Sequence, residues 1–261
     1  MSANRPHLPI FVLALSLILP VPIFAAAPWG YHGEFGPEHW GSIDPSYALC
    51  AEGQEQSPID LPTDDLPGNC GAASLSFSYR SHVLDLLHTG ESIQATPRGT
   101  ASTITLAGQR YNLIQFHWHT PSEHAVDGLR TPLEMHFVHR NASGQLAVVG
   151  VFIRQGSYNS AMNPIFAHLP HESGLSYTTA AVNLAALLPA NRTTRWNYPG
   201  SLTTPDCRQG VRWTVLAQPI LMSASQIAAF VDLFSGAEFP EGNSRPLQTV
   251  NERPICDVGI D

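Results

Sequence analysis

Proline and glycine set the first limit on the fold. There are 22 prolines and 20 glycines spread through the 261 residues, and they leave few stretches long enough for an extended helix. Proline breaks helix interiors and is kept out of central strand positions, so elements must be short and fall between these residues. Four such segments are LSFSY (75–79), YNLIQFHWH (111–119), LEMHFVHR (133–140) and LAVVGVFIR (146–154). They are rich in β-branched and aromatic residues, are bounded by turn formers such as NASGQ, and read as strands. SASQIAAFVDLF (223–234) reads as a helix, with Ser223 or Ser225 as N-cap and Gly236 just past its end. Further helical segments are expected at 160–169 and 181–188. No linker, repeat or low-complexity stretch interrupts the rest. The expectation is a mostly β (α+β) single domain over residues 26–261, with a few peripheral helices.

The first residues form a separate object. Arg5 precedes LPIFVLALSLILPVPIFAAA, an apolar run ending in small residues. This is the pattern of a secretory signal peptide over residues 1–25, with a boundary reaching to 27. Pro9, Pro20 and Pro22 interrupt the run and polar sequence follows it, so no stable membrane insertion of the mature chain is expected. The expected location is periplasmic or secreted. Cys50, Cys70, Cys207 and Cys256 lack CxxC spacing, so in an oxidising compartment they are expected to form disulfides, with three connectivities open. The formal net charge is −8 and all 13 basic residues are arginine. An acidic chain without a basic cluster argues against nucleic acid or anionic lipid as a partner. A homodimer is left open.

Three histidines and a glutamate fall within QFHWHTPSEH (115–124). On a strand, alternation puts Gln115, His117 and His119 on one face and Phe116 and Trp118 on the other. By the same rule Glu134, His136 and Val138 share a face of the 133–140 strand. The turn-rich TPSEHAVDGLRTP between them can return the chain so that the two strands pair antiparallel. Agreement of register then brings His117, His119 and His136 to one point. Three neutral imidazoles on rigid strands suit Zn²⁺ and leave a fourth position open, the pattern of a catalytic rather than a structural site. Gln115 and Glu134 each sit two residues before a histidine on the same face, where each can accept a ring N–H and fix the tautomer. A rival reading takes HWHTPSE as a cupin-like His–x–His–x3–Glu motif, using His117, His119, Glu123 and His136 to bind manganese or iron. The second cupin motif has no match in TPLEMHFVHRN.

Eight motifs follow one another along the chain: WGY (29–31), GPEHW (36–40), QSPIDL (56–61), QFHWHTPSEHAVDG (115–128), LEMHFVHRN (133–141), LAVVGVF (146–152), YPGSLTTP (198–205) and GNSRPLQ (242–248). Their order and spacing make a resemblance to the α-class carbonic anhydrases, in particular their exported bacterial branch. It implies a large, twisted, mainly antiparallel central sheet and reversible hydration of CO2 to bicarbonate by zinc-bound hydroxide. It assigns His117, His119 and His136 as zinc ligands, and Gln115 and Glu134 as the residues behind them. Thr203 becomes the hydroxide-orienting threonine with Glu123 as its acceptor, and Thr204 lines the substrate site. Val138, Val148, Leu202, Val211 and Trp213 form an apolar CO2 pocket. His124 and Tyr198 match buried hydrogen-bonding residues, and Cys50 and Cys207 match a disulfide. Some relatives of this family are catalytically silent binding proteins, which generally lack a zinc histidine.

Three positions depart from or test the family pattern. The family's proton-shuttling histidine aligns with Glu91, which leaves His88, three residues earlier, and Glu91 itself as shuttles to be tested. Asp206 stands where many relatives have proline, which puts a cis bond there in doubt. The Ser57–Pro58 bond is expected to be cis.

Overall fold

The computed structural model describes Met1 and residues 28–64, 74–99 and 101–260; the expected signal peptide and Cys70 lie outside the described residues. One mixed sheet of 11 strands dominates. Its strands are β1 (Leu75–Ser78), β2 (Leu84–His88), β3 (Ile93–Pro97), β4 (Thr103–Leu106), β5 (Gln109–His119) and β6 (Leu133–Arg140). They continue as β7 (Leu146–Gln155), β8 (Ser176–Thr178), β9 (Arg195–Ser201), β10 (Gln209–Met222) and β11 (Cys256–Val258). The strand order is β8-β2-β3-β5-β6-β7-β10-β9-β11, with β4 joining β1 to β5. All pairings in this sheet are antiparallel except β7 with β10, which are parallel.

Alternation on β5 and β6 sorts the two faces. Phe116, Trp118, Met135 and Phe137 enter the larger core with Leu133, Val149 and Phe230. Their neighbours on the opposite face approach a second apolar cluster of Val138, Val148, Val211, Trp213 and Ile59. The clearest helix runs over Ala224–Val231 and continues as a 3-10 turn to Phe234. Ser223 caps it, exchanging hydrogen bonds with Gln226. Gly236 follows at φ 83°.

Two helical expectations shrink. Within 160–169 only Asn163–Phe166 is α-helical, with Pro164 in its first turn. In 181–188, Val182–Asn183 pairs with Ser81–His82 instead, and Leu184–Leu187 is 3-10. The Asn183 side chain accepts the Ala185 N–H there, a local bond that competes with continued helix. The Ser57–Pro58 bond is cis as expected, and Pro205–Asp206 is cis despite the missing proline; Thr120–Pro121 is a third cis bond that the sequence reading did not raise. A disulfide joins Cys50 to Cys207 across 157 residues, and Cys256 is also disulfide-bonded.

His139, next to the site in sequence, points into the large core. Its Nδ1–H donates to the Ala147 carbonyl at 3.3 Å, and Tyr79 Oη lies 2.7 Å from Nε2. Burial pushes its pKa down to about 3. The folded chain therefore refuses a proton that the unfolded chain accepts near 6.5. Stability is complete above that value and falls toward pH 3, on the order of 1 kcal/mol per pH unit from this residue alone. Urea denaturation between pH 7 and pH 4 is expected to show this loss, with a shallower slope in His139→Gln. Equal slopes would refute the assignment.

Candidate metal centre

The pairing register of β5 and β6 builds the centre. His117 lies directly opposite His136, and His119 opposite Glu134. The three imidazoles converge, with ring centroids 5.0, 5.4 and 4.7 Å apart and one nitrogen from each within 4.8 Å of the others. Each ring is held by its other nitrogen. His117 Nδ1–H donates to Gln115 Oε1 at 2.9 Å, His119 Nδ1–H to the Asn243 carbonyl at 2.8 Å, and His136 Nε2–H to Glu134 Oε1 at 2.9 Å. The inward nitrogens are therefore Nε2, Nε2 and Nδ1, each presented as a lone pair. His119 Nε2 is buried with no hydrogen-bond partner among the described residues. A buried, unpaired acceptor is costly unless something binds it. An all-imidazole set at this spacing fits a divalent cation of the zinc type.

Charge follows the same geometry. Burial, reinforced by the other two rings, holds His117 well below the usual imidazole pKa. Burial also lowers His119, against the pull of Glu123. For His136, burial lowers the pKa but the charge and hydrogen bond of Glu134 override it, leaving it raised. Burial works against the ionised form of Glu134, yet its contacts with His124 and His136 hold it well below the carboxylate range. Protons therefore compete with a cation chiefly at His136. His124, Glu134 and His136 also cluster, but Glu134 Oε1 lies 2.8 Å from His124 Nδ1 and 2.9 Å from His136 Nε2, a hydrogen-bonded chain. It continues from His124 Nε2 to Tyr198 Oη at 2.6 Å and on to Ser57 Oγ at 2.9 Å.

A cavity of about 220 Å³ opens onto His117 and His119, lined also by Thr204, Gln115, Glu91 and Tyr31. Val138, Val148, Val211 and Trp213 belong to one apolar cluster, with Leu202 packed against it. The Trp213 ring lies 4.9 Å from that of His136. Thr203 is buried, but its expected bond to Glu123 is not made. Glu123 Oε1 accepts the Arg245 N–H at 2.9 Å. Oε2 has no hydrogen-bond partner among the described residues and is turned toward the imidazoles, 3.5 Å from His119 Nε2 and 3.8 Å from His136 Nδ1. The triad of converging nitrogens nevertheless excludes Glu123.

His88 stands apart from this cavity. It lines a neighbouring one with His32 and Glu238, buried against Phe234, and its Nδ1 accepts the Gly90 N–H. Burial, then His171, lowers its pKa. Glu91 lines both cavities, and burial raises its pKa against a Thr89 hydrogen bond. Asn243 and Arg245 carry parts of the site that the sequence reading left as bare motif; GNSRPLQ was their signal. Gly242 is required beside them. It has φ 80°, and a Cβ there would collide with the Thr120 carbonyl.

Residues 35–258 match the family model for eukaryotic-type carbonic anhydrase. A carbonic anhydrase of Klebsiella pneumoniae is 38% identical over 248 residues, spanning 94% of this chain and 96% of that protein. One from Nostoc is 39% identical, spanning 88% of this chain and 86% of that protein. The structure of the α-carbonic anhydrase of Thermovibrio ammonificans with the inhibitor sulfanilamide superposes at TM-score 0.83. Its identity is 38%, covering 89% of this chain and 100% of that one. Dioscorin complexed with ascorbate has TM-score 0.81 and 27% identity, covering 88% of this chain and 98% of that one.

Removing a group behind a ligand tests the centre independently of any reaction. Gln115→Ala is expected to weaken Zn²⁺ binding about 10- to 100-fold in competition with a chromogenic chelator, and His119→Ala to abolish it. Unchanged affinity in both variants would mean that the imidazoles hold no metal.

Proposed function

The chain belongs to the eukaryotic-type, or α-class, carbonic anhydrase family, and from that premise we propose that it hydrates CO2 reversibly at a zinc ion held by His117, His119 and His136. The observation carrying this reading is the buried, unpartnered His119 Nε2 within a set of three inward-facing imidazole nitrogens. The cupin-like alternative is overturned by the family match, and Glu123 is absent from the converging set. A silent binding protein on this fold is the weaker reading, because all three histidines, Thr203 and Glu123 are retained.

Bound zinc supplies a Lewis acid that brings the pKa of a water molecule to about 7, an effect for which carbonic anhydrases are the type case. The residues of the chain do the rest. Gln115, Glu134 and the Asn243 carbonyl fix the three tautomers, so each ring offers a lone pair rather than an N–H. Glu123 Oε2 is an acceptor with no hydrogen-bond partner among the described residues, available to the Thr203 hydroxyl. Once that hydroxyl donates to Glu123, its oxygen can only accept. It would then accept a hydrogen bond from hydroxide and orient the lone pair of that hydroxide toward the substrate. Val138, Val148, Leu202, Val211 and Trp213 offer uncharged CO2 an apolar wall at little desolvation cost. With zinc held there, hydroxide would add to the carbon of CO2, one C–O bond forming as a C=O π pair moves onto oxygen to give bicarbonate, and the proton given up by the water would have to leave the cavity.

Glu91 is placed for that departure because it lines both the metal cavity and the outer one. His88 is a poor carrier, since it is buried and its Nδ1 is engaged. The apolar run at residues 1–25 and the disulfides support export to the periplasm or beyond.

Stopped-flow measurement of the zinc-loaded protein is expected to show CO2 hydration that chelation removes. Thr203→Val should lower kcat/KM about 100-fold while Thr203→Ser keeps most of it. Fully loaded, folded protein without hydration would sink the reading. For the proton, kcat at saturating CO2 is expected to rise severalfold with imidazole, and Glu91→His to raise kcat at low buffer. A flat response to imidazole in the unmodified protein would exclude Glu91 as the slow step.

A further inference from the structure

The face of the sheet that carries the imidazoles holds a second feature farther along. On β6 the side chains of His136, Val138 and Arg140 follow one another on the same face, two residues apart. Arg140 reaches a separate cavity of about 240 Å³, lined also by Gln145, Leu146, Arg208, Gln209 and Val211. Val211 belongs to the apolar cluster with Val138, Val148 and Trp213, and Leu146 packs against it. The cleft thus adjoins the apolar cluster whose Trp213 ring lies 4.9 Å from that of His136.

The polar lining is made of donors. Gln209 Oε1 is turned inward, accepting the Glu55 N–H at 2.7 Å and the Gln56 amide at 3.4 Å. Gln145 Oε1 accepts the Tyr111 hydroxyl at 2.8 Å. With both oxygens committed to the protein, each amide keeps an NH2 group that donates to nothing among the described residues. Arg140 takes part in no ion pair among those residues, and it is exposed. Among the described residues the one ion pair of Arg208 is with Asp206, with Nε 3.9 Å from Oδ1, an exposed pair of little strength. Among those residues no carboxylate lines the cleft. In a chain with 21 acidic and 13 basic residues, two arginines and two glutamines lining one cavity run against the overall balance.

We propose that this cleft binds a small inorganic oxyanion. A guanidinium presents parallel N–H donors that match two oxygens of such an ion, and the carboxamides complete the ring of donors. The cleft is open to solvent, so binding is weak, on the order of millimolar, and falls with added salt. Two sources share the chemistry, phosphate and bicarbonate. The bicarbonate case rests on the function proposed above; the phosphate case stands without it.

The test is a titration of the zinc-loaded protein with sodium phosphate and, separately, with sodium bicarbonate, at ionic strength held constant with sodium chloride. The arginine Nε–Hε signals are followed by NMR, in the parent and in Arg140→Gln, Arg208→Gln and the double variant. Saturable shifts of the Arg140 and Arg208 signals by either oxyanion are expected. Each single substitution should weaken binding about tenfold, and the double substitution should abolish it. CO2 hydration by these variants should stay within about twofold of the parent, since neither arginine lies in the metal cavity. The oxyanion that saturates names the occupant. Shifts reproduced by chloride alone, or oxyanion binding that persists in the folded double variant, would overturn the proposal. Absence of CO2 hydration would remove only the case for bicarbonate.

Discussion

A buried carboxylate organises the centre. Glu134 is wholly enclosed, and an enclosed charge must be fully paired or it unfolds its surroundings. Its Oε2 accepts the His124 N–H at 2.8 Å, and its Oε1 serves the rings of His124 and His136. Neighbouring strands are shaped to admit it. Gly150 lies opposite His136, and a Cβ there would stand 2.8 Å from Glu134 Oε1. The position of His136, the ring behind it and the bare backbone beside it all answer to this single charge.

Arg245 does for the loops what Glu134 does for the strands. Its guanidinium donates to the carbonyls of Cys50 and Ser57 and to Gln56 Oε1, each at 2.8 Å, while its N–H holds Glu123. Burial pushes its pKa down to about 10, yet it remains charged at neutral pH, with Glu123 favouring that charge. The Cys50–Cys207 bridge then ties this anchored segment to the end of the loop that carries Thr203 and Thr204. Strands fix the imidazoles, and one buried cation with one covalent link fixes the groups that face them.

The parts of this design that can be read in the sequence are those written in side-chain period. Alternation on 111–119 and 133–140 separates ligands from core residues, and Gln115 and Glu134, each two residues before a histidine, mark the acceptor behind each ring; the same spacing engages Nδ1 of His117 but Nε2 of His136, so the choice of nitrogen belongs to the fold. His119 is different, because its support is a main-chain carbonyl, and a carbonyl has no letter of its own. The same is true of the N–H that holds Glu123. Helical propensity misled at 181–188, where Asn183 offered the backbone a local bond and Val182 found a strand partner. His88 looked equivalent to Glu91 in sequence. A ring tilted against Phe234 and a bond to Gly90 set it in another cavity.

The Asn243 carbonyl, 124 residues beyond the His119 ring that it supports, has a consequence in time. A ribosome delivers His117, His119 and His136 well before it delivers residue 243. A nascent chain can therefore pair β5 with β6 and gather its imidazoles while His119 still lacks the support that sets its tautomer. The centre becomes complete only when residue 243 has emerged. A chain stopped short of it carries the three ligands without the carbonyl that sets the His119 tautomer, so truncated products would be poorer competitors for scarce metal.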